Sequence, residues 1–269
     1  MGREKVELFR DLFKKDDRVL VAYSGGVDSS LLLYLLAAET TTTVFAVTIK
    51  TPYIPQWEVD EAVAICKSLE INHKVITLPI PETVITNPPE RCYLCKKILF
   101  SKITEYASEL NCNIIADGTN ADDTGDHRPG IKALGELNIL SPLLESGFTK
   151  NEIRSLLREY NSDIWNKPAY ACLLTRIPHD TLVDSGMLRT IEKAERFIHM
   201  LGYPGTRVRL HNDLARIECP PLLLDKIFSP EAREEIIKYT KSLGIKYVTL
   251  DLEGYRTGSL NKPGKPVSQ

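Results

Sequence analysis

The sequence predicts an α/β fold in which a parallel sheet is flanked by helices, followed by a small α+β domain. Short apolar runs rich in β-branched residues alternate with amphipathic helical segments up to residue 117, and repeated βα units form parallel sheets covered on both faces. The first apolar run, residues 19–22, ends in Ser-Gly-Gly and continues at once into a leucine-rich segment. Beyond residue 178 the pattern changes to a helix, a hairpin, a second helix and a last strand.

Length and composition indicate a folded globular protein. The chain has 269 residues, of which 43% are hydrophobic and 26% charged, enough for one large domain and a small one. Its 34 basic and 36 acidic residues leave a net charge of −2, so no basic excess indicates a nucleic-acid partner. No apolar run reaches membrane-spanning length and no leader is recognisable. We therefore expect no nucleic-acid or membrane partner, a cytoplasmic location, and cysteines that are thiols or metal ligands rather than disulfides.

The first half of the chain contains four predicted strands separated by helices. After the strand at 19–22 and the helix at 31–38, strands at 43–49, 74–78 and 113–117 alternate with helices at 57–69 and 90–110. The inward-facing residues expected in the helix at 57–69 are Val59, Ala62, Val63, Ile65 and Leu69. Ligands of such sheets bind beyond the carboxyl ends of the strands. The Ser-Gly-Gly turn and residues 117–120 each follow a strand, so we expect them to face the same crevice.

The turn at residues 24–30, Ser-Gly-Gly-Val-Asp-Ser-Ser, predicts a phosphate site. Glycine lets the backbone approach a ligand closely, and a helix that opens at Ser29 and Ser30 directs free N–H groups and the positive end of its dipole at the turn. The Walker pattern is absent, because no Gly-Lys-Ser/Thr follows. Ser-Gly-Gly-x-Asp-Ser resembles the pyrophosphate loop (PP-loop) of ATP pyrophosphatases, which transfer AMP to a carbonyl or carboxylate. The alternative is an ordinary strand–helix turn with two glycines.

Residues 118–130 form a polar, glycine-rich segment that follows the fourth strand. Beside a phosphate turn it predicts a ligand-lining loop, with Arg128 available to phosphate and the aspartates available to Mg²⁺. Its Gly-Thr-Asn…Asp…Arg-Pro-Gly pattern also resembles a signature of several ATP pyrophosphatases. The alternative is a solvated surface loop.

We place a domain boundary in the proline-bounded segment 165–178, giving a domain of residues 1–170 and a substrate-binding and oligomerisation domain of residues 171–269. Before it, Thr149 and Glu152 form a capping box that begins a helix reaching residue 160. After it we expect a helix at 187–201, a hairpin of residues 207–210 and 214–218, a helix capped by Ser229, and a strand at 247–252. Residues 262–266 are expected to be loosely ordered.

Three of the six cysteines stand in segments of unusual composition. Cys92 and Cys95 form a C-x₂-C pair, and Cys172 lies alone in the boundary segment. Such a pair suits zinc, an iron–sulfur cluster or redox exchange, although no His or Cys stands at usual zinc-finger spacing. The alternative is two half-buried thiols one helical turn apart. The basic neighbours expected to favour thiolates are Arg91, Lys96, Lys97 and Arg176, and the cysteines expected to be inert packing are Cys66, Cys112 and Cys219.

Five motifs together resemble the LarE family, and the resemblance covers nearly the whole chain. They are the loop at 24–30, Arg-Cys-Tyr-x-Cys-Lys at 91–96, the segment 118–130, Lys-Pro-Ala-x-Ala-Cys-Leu at 167–173 and Ala-Arg-Ile-Glu at 215–218. LarE proteins are ATP-dependent sulfur transferases that build the nickel-pincer nucleotide of lactate racemase. The resemblance implies that a carboxylate of pyridinium-3,5-biscarboxylic acid mononucleotide attacks ATP and releases pyrophosphate. Sulfur then displaces AMP to leave a thiocarboxylate, and the second carboxylate follows.

The cysteines distinguish two branches of that family. In one branch a single cysteine, at the position matching Cys172, gives up its own sulfur. In the other, three cysteines hold a [4Fe–4S] cluster whose open iron carries the sulfide that is delivered. The presence of Cys92 and Cys95 resembles the second branch, so the resemblance implies a cluster on Cys92, Cys95 and Cys172.

Site residues follow from the motifs and the resemblance. We assign to ATP and pyrophosphate Ser24, Gly25, Gly26, Asp28, Ser29, Ser30, Gly118, Thr119, Asn120, Asp122 and Arg128. The candidates near Mg²⁺ are Asp28 and one of Asp122, Asp123 or Asp126. The residues assigned to catalysis are Cys172, Asp28 and Arg176. Alternation along a strand puts Arg207 and Arg209 on one face, where they could clamp the substrate phosphate or be simply solvated. The resemblance adds Glu195 and Glu218, which match acidic positions near substrate.

Two rival functions stay open at this point. A tRNA thiolase can combine a pyrophosphate loop with C-x₂-C and a cluster, but it predicts a basic surface and an RNA-binding appendage. A non-catalytic nucleotide-binding or cluster-carrying scaffold predicts no ATP turnover with a carboxylate substrate. Our expectation is an enzyme with ATP, Mg²⁺ and a [4Fe–4S] cluster as cofactors and a small-molecule nucleotide as substrate, forming a homo-oligomer.

Overall fold

The computed structural model describes residues 2–125, 129–160, 162–168 and 170–256. The chain divides into two compact units, one of Met1–Val84 with Glu90–Ala169 and one of Ile85–Pro89 with Tyr170–Gln269. Residues 85–89 thus belong to the second unit although the chain around them belongs to the first. Across the described ranges, no helix combines the length and apolar character needed to span a bilayer.

The first unit contains a four-stranded parallel sheet. Its strands are β1 (Arg18–Ala22), β2 (Thr43–Lys50), β3 (Asn72–Thr77) and β4 (Ile114–Ala116). Its helices are α1 (Gly2–Asp11), α2 (Val27–Glu39), α3 (Gln56–Ser68), α4 (Arg91–Glu109), α5 (Pro129–Glu136), α6 (Pro142–Glu145) and α7 (Lys150–Glu159). The strand order is β3-β2-β1-β4, and every pairing is parallel. The predicted fold class is therefore confirmed.

Alternation along β1 builds a core on each face of the sheet. Val19 and Val21 belong to a cluster with the leucines of α2 and with residues of α1, α3 and α7. Leu20 belongs to the opposite cluster, with Phe100 of α4 and Leu134 of α5. The apolar run at 19–22 is continuous because a central parallel strand is buried on both faces.

The predicted helices and strands form with boundaries shifted by at most four residues. Two burial predictions differ from the structure. Val63 was expected to face inward but is 42% exposed, because α3 buries the stripe of Val59, Ala62 and Cys66. Cys112 is only partly buried, whereas Cys66 and Cys219 are buried as expected. The segment expected to be a loop at 118–130 also contains a 3₁₀ turn at Ala121–Gly125 and the first residues of α5.

The capping box at the start of α7 is confirmed, and its glutamate also connects α7 to α1. The Thr149 side chain accepts a hydrogen bond from the Glu152 N–H, and the Glu152 carboxylate accepts one from the Thr149 N–H. Lys5 of α1 adds an ion pair of 2.7 Å to Glu152 and donates to the Gly147 carbonyl. Hydrogen bonds from Lys5 and from the Thr149 backbone lower the pKa of Glu152 to about 2.

In its described residues, the second unit contains a three-stranded mixed sheet and three α-helices. Its elements are α8 (Ser185–Met200), β5 (Arg207–His211), β6 (Leu214–Glu218), α9 (Leu224–Ile227), α10 (Pro230–Ser242) and β7 (Tyr247–Leu250). β5 and β6 form the predicted antiparallel hairpin, and β7 pairs parallel to β6. The Asn87 amide donates to the carbonyls of Leu174, Ile177 and Pro178, which explains why residues 85–89 belong here. Residues 262–266 lie outside the described residues.

We predict that Glu152→Gln lowers the free energy of unfolding at neutral pH by about 1–2 kcal/mol, the usual cost of losing a cap. A carboxyl group with a lowered native pKa stabilises the fold above its unfolded pKa and loses that effect as the pH falls. The difference between variant and wild type should therefore shrink between about pH 4.5 and about pH 2. Denaturant unfolding across that pH range measures it.

Glu159→Gln is the matched control, because Glu159 is exposed at the opposite end of α7 and should change stability by less than about 0.5 kcal/mol. A deficit in Glu152→Gln that is equal at both ends of the pH range would contradict the prediction.

Candidate functional site

The strand order predicts a ligand site at the carboxyl ends of β1 and β4. In the order β3-β2-β1-β4 the direction of strand succession reverses at β1, and open parallel sheets bind ligands at such a reversal. The Ser-Gly-Gly turn leaves β1 there, and residues 117–120 leave β4 there. A Cβ atom on Gly118 would lie 2.7 Å from the Ser29 backbone nitrogen and 2.9 Å from its Cα. The structure therefore brings the two segments into direct backbone contact.

The turn between β1 and α2 has the geometry of an anion cradle. α2 begins at Val27, two residues earlier than expected, and its N-cap Gly26 supplies no side-chain acceptor. The first N–H groups of a helix have no intrahelical partner and lie at the positive end of its dipole. Gly25 adopts φ +71°, and a Cβ atom there would lie 3.1 Å from the Glu58 carbonyl of α3. Glycine is therefore required at position 25 both by conformation and by close approach.

The serines of the turn do not all face the same way. The Ser24 hydroxyl accepts a hydrogen bond from the Gly26 N–H and lies 3.0 Å from the Ser29 hydroxyl, at the mouth of the turn. The Ser30 hydroxyl is instead buried 3.0 Å from the Tyr23 hydroxyl. Thr48 supports Tyr23 by donating to its carbonyl at 2.8 Å. Ser24 is thus exposed at the candidate ligand surface, Ser29 lies beside it but is only 4% exposed, and Ser30 supports the turn from beneath.

The segment after β4 is fixed by its own carboxylates. Buried Asp117 accepts hydrogen bonds from the hydroxyls of Thr119 at 2.6 Å and Ser141 at 2.7 Å. Asp122 accepts the Lys150 N–H at 2.7 Å, and Asp123 forms an ion pair of 3.2 Å with the Lys150 ammonium. Both of these magnesium candidates therefore already anchor the segment to α7. Arg128 and Asp126, the other predicted ligands of this segment, lie outside the described residues.

Cys92 and Cys95 lie in the first turns of α4. Cys92 is exposed and Cys95 is partly buried. The spacing of three residues puts the two side chains on one face of the helix, near the positive end of its dipole, which favours anionic ligands. The Tyr53 hydroxyl lies 3.1 Å from the Cys95 sulfur. Two thiols so arranged suit half of a metal or cluster site.

At Cys95 the effect expected of the basic neighbours is present, but burial outweighs it. Burial raises the pKa of the Cys95 thiol, and the Tyr53 hydrogen bond and the Lys96 charge offset this only in part. A metal ion or cluster would have to displace the thiol proton of Cys95 on binding. Among the residues that the structure describes, no group of three or more His, Cys, Asp or Glu side chains could hold a metal ion.

In the second unit, Arg176 and Glu195 form a buried bidentate ion pair. The guanidinium donates to the two carboxylate oxygens at 2.8 and 3.0 Å, and the Val208 N–H adds a third hydrogen bond to Glu195. Burial by itself would raise the pKa of Glu195, but the attraction of Arg176 outweighs it and lowers that pKa. Arg176 also donates to the Cys172 carbonyl at 3.3 Å and to the Thr175 hydroxyl at 2.7 Å. Arg176 therefore fixes the backbone that carries Cys172.

The arginines of β5 are buried, so the alternative of a solvated strand face is wrong. Arg209 forms a bidentate pair with Glu218 of β6, at 3.1 and 2.9 Å, and Arg216 joins the same carboxylate. The Arg207 guanidinium lies over the rings of Tyr170 and Tyr255, 4.7 and 5.2 Å from their centroids. Burial lowers the pKa of Arg207, and the nearby Arg176 charge lowers it further. Four predicted substrate residues thus lie in one unit, with Arg209 and both glutamates already in ion pairs.

Three side chains at the first unit's site were not among the predicted site residues. Asp117 ends a predicted strand, so its position beside the crevice could have been inferred from the strand pattern alone. Lys167 lies in a quoted motif, but nothing local indicates that its ammonium reaches the Gly25 carbonyl at 2.9 Å. Tyr53, the neighbour of Cys95, has no sequence signal of any kind.

The chain is similar in sequence to one family model and to several known proteins. The asparagine synthase family model matches residues 9–94, which include the turn after β1. Over 264 residues the chain is 36% identical to an uncharacterized protein of Synechocystis sp., covering 97% of this chain and 98% of the relative. It is 40% identical over 243 residues to an uncharacterized protein of Methanocaldococcus jannaschii, covering 90% and 92%. It is 34% identical over 249 residues to the pyridinium-3,5-bisthiocarboxylic acid mononucleotide synthase of Lactiplantibacillus plantarum, covering 91% and 89%.

We predict that Gly118→Ala destabilises the first unit by about 1–3 kcal/mol, the usual cost of overpacking, and weakens binding of inorganic pyrophosphate. The added methyl group would lie within 3 Å of the Ser29 backbone, which cannot move without shifting the start of α2. Denaturant unfolding and calorimetric titration measure the two effects.

Gly135→Ala is the control, because a Cβ atom there meets nothing within 4 Å. It should leave pyrophosphate binding unchanged and stabilise α5 by up to about 1 kcal/mol. If Gly118→Ala matches wild type in both measurements, the inferred contact between the segments is wrong.

Proposed function

The chain belongs to the LarE family, and on that premise we propose that it is an ATP-dependent sulfur transferase acting on pyridinium-3,5-biscarboxylic acid mononucleotide. The observation that carries the proposal is the similarity, over about nine-tenths of both chains, to a synthase named for the bisthiocarboxylic product. Substrate and product of this proposed reaction differ by one sulfur-for-oxygen exchange at each carboxylate.

The exchange requires activation, because the oxygen of a carboxylate is a poor leaving group. We propose that the carboxylate attacks ATP, giving an acyl-adenylate and pyrophosphate, and that AMP leaves when sulfur attacks. Pyrophosphate departs more readily when fixed donors hold its developing charge. The turn at residues 24–30 offers such donors, namely the first N–H groups of α2 and the hydroxyls of Ser24 and Ser29.

We propose that Asp28 would hold Mg²⁺ together with the ATP phosphates. Asp28 is partly exposed in the first turn of α2, beside the cradle, and carboxylate and phosphate oxygens are the ligands that Mg²⁺ prefers. Asp122 and Asp123 each contact Lys150 and would hold the segment after β4 in place. When bound, the ion would neutralise charge on the leaving pyrophosphate.

For sulfur delivery we propose a [4Fe–4S] cluster ligated by Cys92, Cys95 and Cys172. The thiol chemistry fits, since Cys92 and Cys95 share one face at the start of α4, and Cys172 enters through the family resemblance. Three thiolates leave one iron open, and this is the chemistry that the group would supply: a site for exogenous sulfide. Arg176 would position Cys172 by holding the carbonyls of Ala171 and Cys172.

We propose that the second unit recognises the substrate. Arg207 and Arg209 would bind its phosphate. Glu195 would hold Arg176 against β5, and Glu218 would orient Arg209 from the neighbouring strand. The roles of residues 1–170 and 171–269 as separate domains, the cytoplasmic location and the homo-oligomer stay predictions.

The proposed function predicts a thiocarboxylate product that depends on Asp28. Reconstituted anaerobically with iron and sulfide, then given ATP, Mg²⁺ and the biscarboxylic nucleotide, wild type should release pyrophosphate and AMP and yield a product whose mass shows sulfur replacing oxygen. Asp28→Ala should lower the rate of pyrophosphate release at least about 100-fold, as for removal of one stabilising group. Its thermal unfolding should be unchanged. Wild-type release from that variant, or thiolation of tRNA in place of the nucleotide, would contradict the proposal.

The cluster predicts that three cysteines act together. Replacing Cys92, Cys95 or Cys172 singly by Ala should lower bound iron and abolish multiple turnovers with added sulfide. Cys112→Ala, a partly buried cysteine outside the motifs, should retain both. The opposite outcome is full activity of Cys92→Ala with residue 172 lighter by one H₂S, which would mean that Cys172 gives up its own sulfur.

A further inference from the structure

Lys167 is a half-buried cation at the backbone of the phosphate cradle. Its ammonium donates a hydrogen bond of 2.9 Å to the carbonyl of Gly25 and forms an ion pair of 2.6 Å with Glu61 of α3. The Lys167 side chain is only 13% exposed, whereas that of Glu61 is 51% exposed. The ammonium also lies 5.8 Å from the centroid of the Trp57 ring. The chain therefore keeps a positive charge beside the turn where the first N–H groups of α2 point.

The backbone around Lys167 is held independently of its side chain. The Arg154 guanidinium of α7 donates to the carbonyl of Trp165 and, at 3.0 Å, to the carbonyl of Lys167. Both carbonyls are thus fixed by α7 whatever side chain stands at position 167. The Lys167 side chain is therefore not needed to hold the backbone of this segment. Its direction toward the cradle has another cause.

The partners of the ammonium suit a temporary arrangement. The ion pair with Glu61 contributes little stability, because the carboxylate is half exposed and water competes for its charge. A phosphate oxygen offers a stronger charge-assisted acceptor than a backbone carbonyl does. If the Lys167 ammonium exchanged Glu61 for a polyphosphate, it would therefore lose little interaction energy. It would also gain a more highly charged partner.

We propose that Lys167 is a pyrophosphate-binding residue of this site and that Glu61 is the counterion that holds it until a nucleotide arrives. This inference rests on the proposed function, because it assumes that ATP binds in the cradle. It adds a residue of the first unit to the groups that neutralise the β- and γ-phosphates. The rival explanation is that Lys167 only ties the turn to α3, and the two make opposite predictions for Glu61.

Calorimetric titration of ATP, inorganic pyrophosphate and AMP into wild type, Lys167→Met, Lys167→Arg and Glu61→Gln separates these explanations. Loss of one charge-assisted contact lowers affinity by roughly 10- to 100-fold. We expect Lys167→Met to bind ATP and pyrophosphate at least fivefold more weakly and AMP within twofold of wild type. Lys167→Arg should recover most of the loss, and Glu61→Gln should bind ATP at least as tightly as wild type, because it frees the ammonium.

The outcomes distinguish this inference from the proposed function. A loss of less than fivefold in Lys167→Met, an equal loss for AMP, or weakening by Glu61→Gln would overturn the role of Lys167 while wild type still binds ATP. Failure of wild type to bind ATP or pyrophosphate would overturn the proposed function itself. Thermal unfolding of each variant without ligand shows whether the fold is intact, which the Arg154 contacts lead us to expect.

Discussion

The candidate site depends on one close contact, in which the backbone at Gly118 packs against the first turn of α2 at Ser29. This approach is possible because β1 and β4 are neighbours and parallel, so that their carboxyl ends lie side by side. A side chain at position 118 would push the segment after β4 away from the cradle. Two segments nearly a hundred residues apart thereby form one surface, and the hydrophobic faces of the sheet hold it in place.

Around that contact, many polar residues of the motifs serve the cradle from behind. Asp117 binds the hydroxyls of Thr119 and Ser141, and Asp122 binds the backbone at the start of α7. A carboxylate engaged in this way is poorly available to a ligand, but it fixes the groups that are available. Rigid placement is what an electrostatic site requires, since donors that must reorganise lose part of their effect. The division between supporting and ligand-facing residues is therefore part of how the site would work.

The second unit solves a different problem, which is to keep several charges buried in the absence of substrate. Isolated buried charges are costly, and a bidentate partner with further hydrogen bonds offsets that cost only when the geometry is good. The Arg176–Glu195 and Arg209–Glu218 pairs meet this condition. Arg207 instead lies against two aromatic rings, whose faces attract cations. Burial lowers the pKa of Arg207, so a bound phosphate would stabilise its charged form.

The sequence by itself determined the elements whose causes are local. The strand before the Ser-Gly-Gly turn, the capping box of Thr149 and Glu152 and the β5–β6 hairpin each follow from residues within a few positions of one another. Tertiary structure alone decided which way the motif side chains face: Ser30 turns inward to Tyr23, and Lys167 reaches a carbonyl 142 residues away. The physical reason is that periodicity and capping record short-range preferences, whereas a contact between distant residues exists only after the sheet has set their positions.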